Sequence, residues 1–334
     1  MMESFQGVTM QGQKILITGP AGQIAFPLAE ELAQHNDLWG IARFSEPGSQ
    51  ERCEKAGVHT VVCDLAKGDF SQLPDDFDYL LHLATFQGGG LDYDQAIRVN
   101  AEGTGLLMQH CRKAKAALVV STFSTYKPND DPHHPFKETD PLGDVNSPHA
   151  PTYSMSKIAE EAVARTMARL LNLPTTVARM NASYSWNGGL PAYHLDWMMN
   201  DSEVSLRAPG STGYNPIDQV DINAQVPKLC EIATVPATVI NWAGDEMVTP
   251  EIWCAYFGEL TGKTPRFEYR EYPGASKGGA SDNTKRIGLI GKCEVGWKEG
   301  FKKMWEQRYP GGKRRTDMPD GAAALQSSYV ADAD

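Results

Sequence analysis

Short apolar runs alternate with longer stretches of helical spacing through the first half of the chain. Lys14–Thr18 (KILIT), Asp37–Arg43 (DLWGIAR), Val58–Asp64 (VHTVVCD), Tyr79–Thr85 (YLLHLAT), Ala117–Ser121 (ALVVS) and Thr175–Arg179 (TTVAR) read as strands. Phe26–Gln34, Gln50–Ala56, Asp92–Lys115 and Thr152–Leu171 read as the helices between them. The fourth run is apolar as a parallel strand covered on both faces must be. This alternation predicts an α/β fold, a doubly wound parallel sheet with right-handed crossovers.

Beyond Arg179 the rhythm becomes irregular. Leu190–Asn200, Gln219–Ala233, Pro250–Leu260 and Val295–Glu306 have helical patterns, and Val204–Ala208, Thr238–Asn241 and Phe267–Arg270 read as short strands. The expected organisation is a dinucleotide-type domain over residues 14–180 and a smaller C-terminal substrate-binding lobe over 181–308, with some segments returning to the main sheet. A small, polar tail over 309–334 follows. Lys127–Pro151, with six prolines and His133, His134 and His149, reads as a solvated, proline-stiffened flap. Its histidines have no second ligand pair at a chelating spacing, so no metal site is expected.

Composition narrows the class. The chain has 334 residues, is 41% hydrophobic and 22% charged, and carries a net charge of −11 with pI about 5.2. That balance, without a basic stripe, argues against a nucleic-acid partner. The six cysteines form no Cys-x-x-Cys pair, so neither a zinc site nor a disulfide framework is indicated. The N-terminal residues lack the charge and apolar run of a signal peptide, and no run of about 18 apolar residues exists. A cytoplasmic protein away from the membrane is the expectation.

Candidate chemistry begins at the first strand. Gly19 and Gly22 lie between strand and helix, where outward-pointing N–H groups and the helix dipole suit a pyrophosphate. Gly19 permits the tight turn, Gly22 lets phosphate approach the backbone, and Ala25 takes the place of a third glycine. The bland alternative is a ligand-free turn. At the tip of the second strand, an acid would bind the free 2′-OH of NAD and an arginine the 2′-phosphate of NADP. Arg43 stands there, which favours NADP, with NAD as the alternative; a solvated arginine remains open.

Tyr153 and Lys157 lie at i and i+4, on one helix face. A cation beside a phenol favours phenolate, and such a phenol can exchange a proton with a substrate oxygen while hydride moves at carbon. Chance supplies about 0.6 such spacings in a chain of this composition. A second, Tyr309–Lys313, encloses Pro-Gly-Gly and cannot stack its side chains on a helix. The fifth strand ends in hydroxyls, Ser121-Thr122-Phe123-Ser124-Thr125-Tyr126, where a parallel sheet opens to its ligand crevice.

Taken in order, Thr18-Gly19-x-x-Gly22, Asp64-Leu65, His82-Leu83-Ala84, Asn100-x-x-Gly103-Thr104, the cluster ending at Tyr126, and Tyr153…Lys157 resemble the extended short-chain dehydrogenase/reductases, the NAD(P)-dependent epimerase/dehydratase family. The resemblance covers roughly residues 14–308, with Val220-Asp221-Ile222 and Val295–Glu299 as weaker landmarks. It implies a Rossmann-type domain. It also implies Tyr153 as acid/base, Lys157 lowering its pKa and holding the nicotinamide ribose, Thr122 as the third member with Ser124 as fallback, and Asn100 supporting the network. Implied cofactor contacts are Thr18, Gly19, Ala21, Gly22, Gln23, Ile24, Arg43, Asp64, Leu65, Leu83, Ala84, Thr85, Tyr153 and Lys157. A homodimer packed through the 92–115 and 152–171 helices is a further implication.

The sequence departs from the family where a nucleotide-sugar would be gripped. The turn after the sixth strand is Asn181-Ala-Ser-Tyr184-Ser-Trp186; Gly213–Ile217 replaces a usual arginine before Val220, and a later anchor reads Tyr272-Pro273-Gly274. A diphosphate without arginines loses charge-assisted hydrogen bonds. Ser124, Asn181, Tyr184 and Trp186 are candidate substrate contacts. Tyr184, Trp186, Tyr193, His194 and Trp197 read equally as an aromatic pocket or as lobe core. The first hypothesis is an NADP(H)-dependent oxidoreductase interconverting an alcohol and a carbonyl on a small-molecule substrate. The alternatives are a sugar or nucleotide-sugar epimerase/dehydratase and a non-catalytic dinucleotide sensor.

Overall fold

The computed structural model of the chain describes residues 10–88, 90–145, 150–271, 274–316 and 318. The first half runs β1 (Lys14–Thr18), α1 (Ala25–Leu32), β2 (Asp37–Ala42), α2 (Ser49–Lys55), β3 (His59–Val62), β4 (Tyr79–His82), α3 (Tyr93–Ile97), α4 (Gly103–His110), β5 (Ala116–Thr122), α5 (Tyr153–Leu171) and β6 (Thr175–Met180). The second half adds β7 (Ser183–Ser185), β8 (Gly188–Gly189), α6 (Leu190–Met199), β9 (Val204–Arg207), β10 (Ile217–Asp218) and α7 (Gln219–Glu231). It closes with β11 (Thr238–Trp242), α8 (Pro250–Thr261), β12 (Phe267–Arg270), α9 (Thr284–Ile290) and α10 (Trp297–Arg308).

Seven strands form one sheet in the order β11-β6-β5-β4-β1-β2-β3, and every pairing is parallel. The chain winds outward in both directions from β1, so the order reverses between β1 and β4. A parallel α/β sheet opens its ligand crevice at such a point, beyond the C-terminal strand ends. Thr18 is level with Ile41 on one side and His82 on the other, so three strand ends reach the crevice together.

Alternation along each strand feeds two apolar layers. On one face Ile15, Ile17, Leu118 and Val120 pack with Phe26 and Leu28 of α1 and Ile222 and Val226 of α7. On the other, Leu16, Leu80, Val119 and Val177 pack with Leu107 and Met108 of α4 and Ala164 of α5. Each fully buried Leu, Ile or Val contributes about 1.5–3 kcal/mol against the unfolded chain. A third cluster joins α6, α8 and α10 through Leu195, Trp197, Trp253, Phe257 and Phe301, and this is the lobe core.

The long helix expected over Asp92–Lys115 is present in shorter form, and a π turn (Arg98–Glu102) joins α3 to α4. Gly103 follows it. A Cβ there would meet the Leu65 carbonyl oxygen at 2.9 Å, so glycine lets the helix lie against the loop after β3. Helix α5 is anchored to the sheet by charge. Arg179 Nε and Nη2 donate to Glu161 at 2.9 and 2.7 Å, Ser121 Oγ donates to the same carboxylate at 2.6 Å, and the guanidinium lies 4.8 Å from the Tyr126 ring centroid.

Two expectations need correction. The 127–151 segment is mostly solvent-facing over its described part, as expected, but it is docked on the fold and not free. Phe136 N donates to Ala280 O and Asp282 N to Phe136 O, while Asn241 donates from its side chain to Phe136 O and from its backbone to Glu138. Backbone pairing with residues 280–282 and the edge of the sheet satisfies groups that a free loop would leave to water. Pro148 and His149 lie outside the described residues, as do Tyr272 and Pro273. The stretch beyond Arg308 does not begin as a free tail either. Tyr309 is buried and donates to Asp196 at 2.8 Å, beside the bidentate Arg308–Asp196 pair, and Arg315 stacks 4.4 Å from the Trp186 ring centroid.

Candidate active site

A cleft of about 600 Å³ opens above the β1–β4 reversal. Its floor is the turn after β1. Gly19 has φ +65°, and a Cβ on it would meet Ala84 Cα at 3.3 Å; a Cβ on Gly22 would meet the Gly19 carbonyl at 3.1 Å. Both glycines therefore let the turn fold tightly and lie close against the loop at Ala84. The C-terminal half clamps this turn. Asn187 Nδ2 donates to Gln23 O at 3.0 Å, Gln219 Nε2 to Ile24 O at 3.1 Å, and Gln23 Nε2 to Ser183 Oγ at 3.1 Å.

Thr18 is buried beneath the turn and does not line the cleft, a correction to its expected cofactor contact. Its Oγ1 accepts from Leu83 N at 3.0 Å and Ala84 N at 2.8 Å. With both lone pairs used, its O–H donates to His82 Nδ1 at 2.8 Å. The remaining proton of His82 is then on Nε2, which faces Thr104 Oγ1 at 2.8 Å, while Thr104 donates onward to Asn100 O at 2.6 Å. Burial pushes the His82 imidazole down to about 3, with the nearby Lys157 charge acting in the same direction, so the ring is neutral. Thr18 thus positions the 83–85 loop from below.

The three residues expected to carry the chemistry border the same cleft. Thr122, Tyr153 and Lys157 all line the cleft, together with Gly19, Ala21, Gly22, Gln23, Ile24, Leu83, Ala84 and Thr85. Tyr153 opens α5 and is half-buried; Lys157, one turn on, is 1% exposed and donates to Val120 O at 2.8 Å. Lys157 also pairs with Glu160. Arg43, Asp64 and Leu65 line the far end at the tips of β2 and β3, with Arg43 exposed and no acid at the β2 tip itself.

Asn100 sits in the π turn and is 1% exposed. It accepts from Phe86 N at 2.6 Å and donates to Phe86 O at 3.0 Å and Ser156 Oγ at 2.9 Å. It touches no open space and acts by holding neighbours. Asn181 lines the cleft, but its carbonyl oxygen accepts from Ala182 N and Asn215 N and its Nδ2 donates to Gly279 O at 2.5 Å. Three of its four hydrogen-bonding positions are therefore taken by the fold.

Three expected substrate contacts lie elsewhere. Ser124 is half-buried in a 3-10 turn (Phe123–Thr125) outside the cleft. Tyr184 is in the lobe core, edge-on to Phe301 at 4.6 Å between ring centroids, and burial raises its phenol well above the usual tyrosine value. Trp186 borders a separate cavity between α1, α7 and α10. His194 and Trp197 stack on each other in the lobe core at 5.3 Å, so these aromatics build the lobe and do not line the cleft. Sequence reasoning missed Glu160, Ser156, Asn187 and Gln219. Only Glu160 carried a local signal, its i+3 spacing from Lys157.

A model of the NAD-dependent epimerase/dehydratase family matches residues 15–200. No curated protein sequence matches the chain. Solved structures share its fold at low identity. A tyrosine-to-phenylalanine variant of UDP-glucuronic acid 4-epimerase from Bacillus cereus, in complex with a UDP-sugar and NAD, is 20% identical over 88% of this chain and 98% of its own, with a TM-score of 0.76. UDP-N-acetylglucosamine 4-epimerase from Methanobrevibacter ruminantium M1 is 18% identical over 89% and 98%, with a TM-score of 0.76. UDP-glucose 4-epimerase from Thermotoga maritima is 21% identical over 88% and 97%, with a TM-score of 0.75.

Proposed function

The chain belongs to the NAD-dependent epimerase/dehydratase family, and from that premise we propose that it interconverts a secondary alcohol and a carbonyl, with Tyr153 as the acid/base. The observation that carries this reading is that the glycine turn, Thr122, Tyr153 and Lys157 share one cleft. The tight turn through Gly19 and Gly22 borders this cleft at the start of α1, where a dinucleotide pyrophosphate would fit. Gly19, Ala21–Ile24, Asp64, Leu65, Leu83–Thr85, Tyr153 and Lys157 would hold the cofactor. When bound, it supplies the acceptor and donor of hydride.

The protein's own part is proton transfer and orientation. Tyr153 takes the proton from the substrate hydroxyl in one direction and returns it in the other. Thr122 hydrogen-bonds the same oxygen and fixes its distance from the phenol. Lys157 stands one turn from Tyr153 on the same helix face, and its bond to Val120 O keeps it under the cleft.

The family match and the fold neighbours support an epimerase or dehydratase, in which hydride returns to the substrate that gave it. From sequence alone the net oxidoreductase ranked first; these relatives reverse the order. A net NADP(H)-dependent oxidoreductase remains the second reading, on a specific observation. The substrate end of the cleft is bounded by Thr85, Phe86, Gln87, Thr122, Met180, Asn181 and Ser183, all uncharged. Among the described residues no arginine stands there to grip a diphosphate, whereas Arg43 at the opposite end suits a 2′-phosphate.

Mass spectrometry of any dinucleotide released when fresh protein is denatured, followed by titration with NADPH, NADH and UDP, separates the two. Retained stoichiometric NAD with UDP binding supports the epimerase or dehydratase. An empty protein that binds NADPH reversibly and far more tightly than NADH, and ignores UDP, supports the oxidoreductase. Failure to bind either dinucleotide would overturn both.

A further inference from the structure

Lys157 has a second carboxylate-bearing neighbour on its own helix whose placement the proposed chemistry does not use. Glu160 is fully buried, and its Oε2 pairs with the Lys157 ammonium one turn away. Its Oε1 lies 3.5 Å from His82 Nε2. No hydrogen bond from a backbone amide reaches either oxygen among the described residues, so the ammonium is the main compensation for this carboxylate. The next residue, Glu161, is committed elsewhere, to Arg179 and Ser121.

A buried acid with so few donors is a costly arrangement unless its charge has a use. Here it meets Lys157, the one cation among the described residues at that end of the cleft. An ammonium has three N–H groups. Val120 O takes one and Glu160 another, which leaves a single N–H for the cleft and fixes where it points.

We propose that Glu160 is a positioning residue, the buried counter-ion that pins Lys157 so that it presents one N–H and a fixed charge beside Tyr153. The proposal rests on Lys157 lining the reacting end of the cleft, and its use in catalysis rests on the proposed role of Tyr153. The groups facing Glu160 are Lys157 and Glu161 on α5, His82 on β4 and Thr104 on α4. Of these, His82 is neutral, because burial holds it down to about 3. Burial pushes the Glu160 carboxyl itself up to about 7, against the pull of Lys157. The pin is therefore complete above neutral pH and is released as pH falls through that region.

The test reads Lys157 directly, without cofactor or substrate. Reductive methylation of the full chain with formaldehyde and a borohydride, followed by peptide mass spectrometry, gives the labelling rate of each lysine. At pH 8, Glu160→Gln should label Lys157 at least five-fold faster than the wild type, with Lys14 and Lys113 unchanged as internal references. Glu160→Asp keeps the charge one methylene back and should label at an intermediate rate; it also serves if the Gln variant does not fold. Equal Lys157 rates in wild type and either folded variant would overturn the proposal.

Kinetics supply the second readout. The wild-type to Glu160→Gln ratio of kcat should be ten-fold or more at pH 8 and shrink toward one at pH 6, with the substrate KM little changed. A purely structural glutamate would give a loss independent of pH, and that result would also overturn the proposal. Tyr153→Phe should leave the Lys157 labelling untouched. If Tyr153→Phe keeps turnover, the acid/base reading fails while the labelling result still decides for or against Glu160.

Discussion

Asn100 Nδ2 lies 2.9 Å from Ser156 Oγ, and that bond ties the loop along the cleft to the first turn of the helix carrying Tyr153. Ser156 in turn donates to Tyr153 O at 3.0 Å, while Asn100 holds both backbone groups of Phe86. Asn100→Ala leaves Phe86 N and Phe86 O without the amide that pairs them and takes one of the two bonds of Ser156. It should destabilise the fold by about 2–4 kcal/mol, since each unsatisfied buried group costs about 1–3 kcal/mol and relaxation recovers part. Denaturant titration measures this. At saturating cofactor, kcat should also fall at least ten-fold, about 1.4 kcal/mol of barrier. Wild-type kcat in the variant would mean that these bonds do not position Tyr153.

Acid stability follows from buried neutral histidines. His82 and His194 are both pushed down to about 3 by burial, against an unfolded value near about 6.5. As pH drops below about 6.5 the unfolded chain gains protons that the folded chain refuses, so each histidine removes up to about 1.4 kcal/mol per pH unit. Glu160 has the opposite sign. Its carboxyl is raised from 4.5 to about 7, so between those values the folded chain keeps a proton the unfolded chain has lost, and stability falls as pH rises. Between about pH 4.5 and 6.5 two histidines outweigh one glutamate, and unfolding free energy should rise by about 1.4 kcal/mol per pH unit from these groups. His194→Gln should bring that contribution close to zero. An unchanged slope in the variant would contradict the assignment.

Arg43 is where the proposed preference for NADP can be tested. It is exposed on the rim of the cleft, past the last residue of β2, and Phe44 beside it has φ +47°, which turns the chain sharply there. Arg43→Glu should weaken NADPH binding by ten-fold or more and change NADH binding by less than about three-fold, because only the 2′-phosphate meets the new charge. Fluorescence titration with each dinucleotide checks it. Equal effects on both would remove the case for NADP.

Much of the frame was legible in the chain because its signals are local. Six apolar runs at βα spacing, a two-glycine turn and a Tyr–Lys pair one turn apart each need only a few neighbouring residues to be recognised. Thr18 shows where local reading stops. Its hydroxyl is part of a strand-end motif, yet which way it points depends on β4 arriving alongside, and it ends up under the turn. Tyr184, His194 and Trp197 were ambiguous for a similar reason: α6, α8 and α10 meet only in the folded lobe, and their packing consumes the aromatics. Glu160 is buried because His82 of β4 and Thr104 of α4 come against it, which no pattern along α5 announces. The π turn at Arg98–Glu102 has no periodic signature at all, although it is what places Asn100.

Turnover with and without the Tyr153 hydroxyl tests the central claim most directly. Wild type and Tyr153→Phe would be loaded with oxidised dinucleotide and mixed with a panel of secondary alcohols, sugars and nucleotide-sugars, following the near-ultraviolet absorbance of reduced nicotinamide. The wild type should reduce its cofactor with at least one substrate class, transiently in a single turnover if hydride returns to the same substrate and lastingly in a net oxidation. Tyr153→Phe should bind the dinucleotide within about three-fold of wild type yet react about 10²–10⁴-fold more slowly, the usual worth of a positioned acid/base. Equal rates in the two proteins would contradict the assignment of Tyr153 and the chemistry built on it.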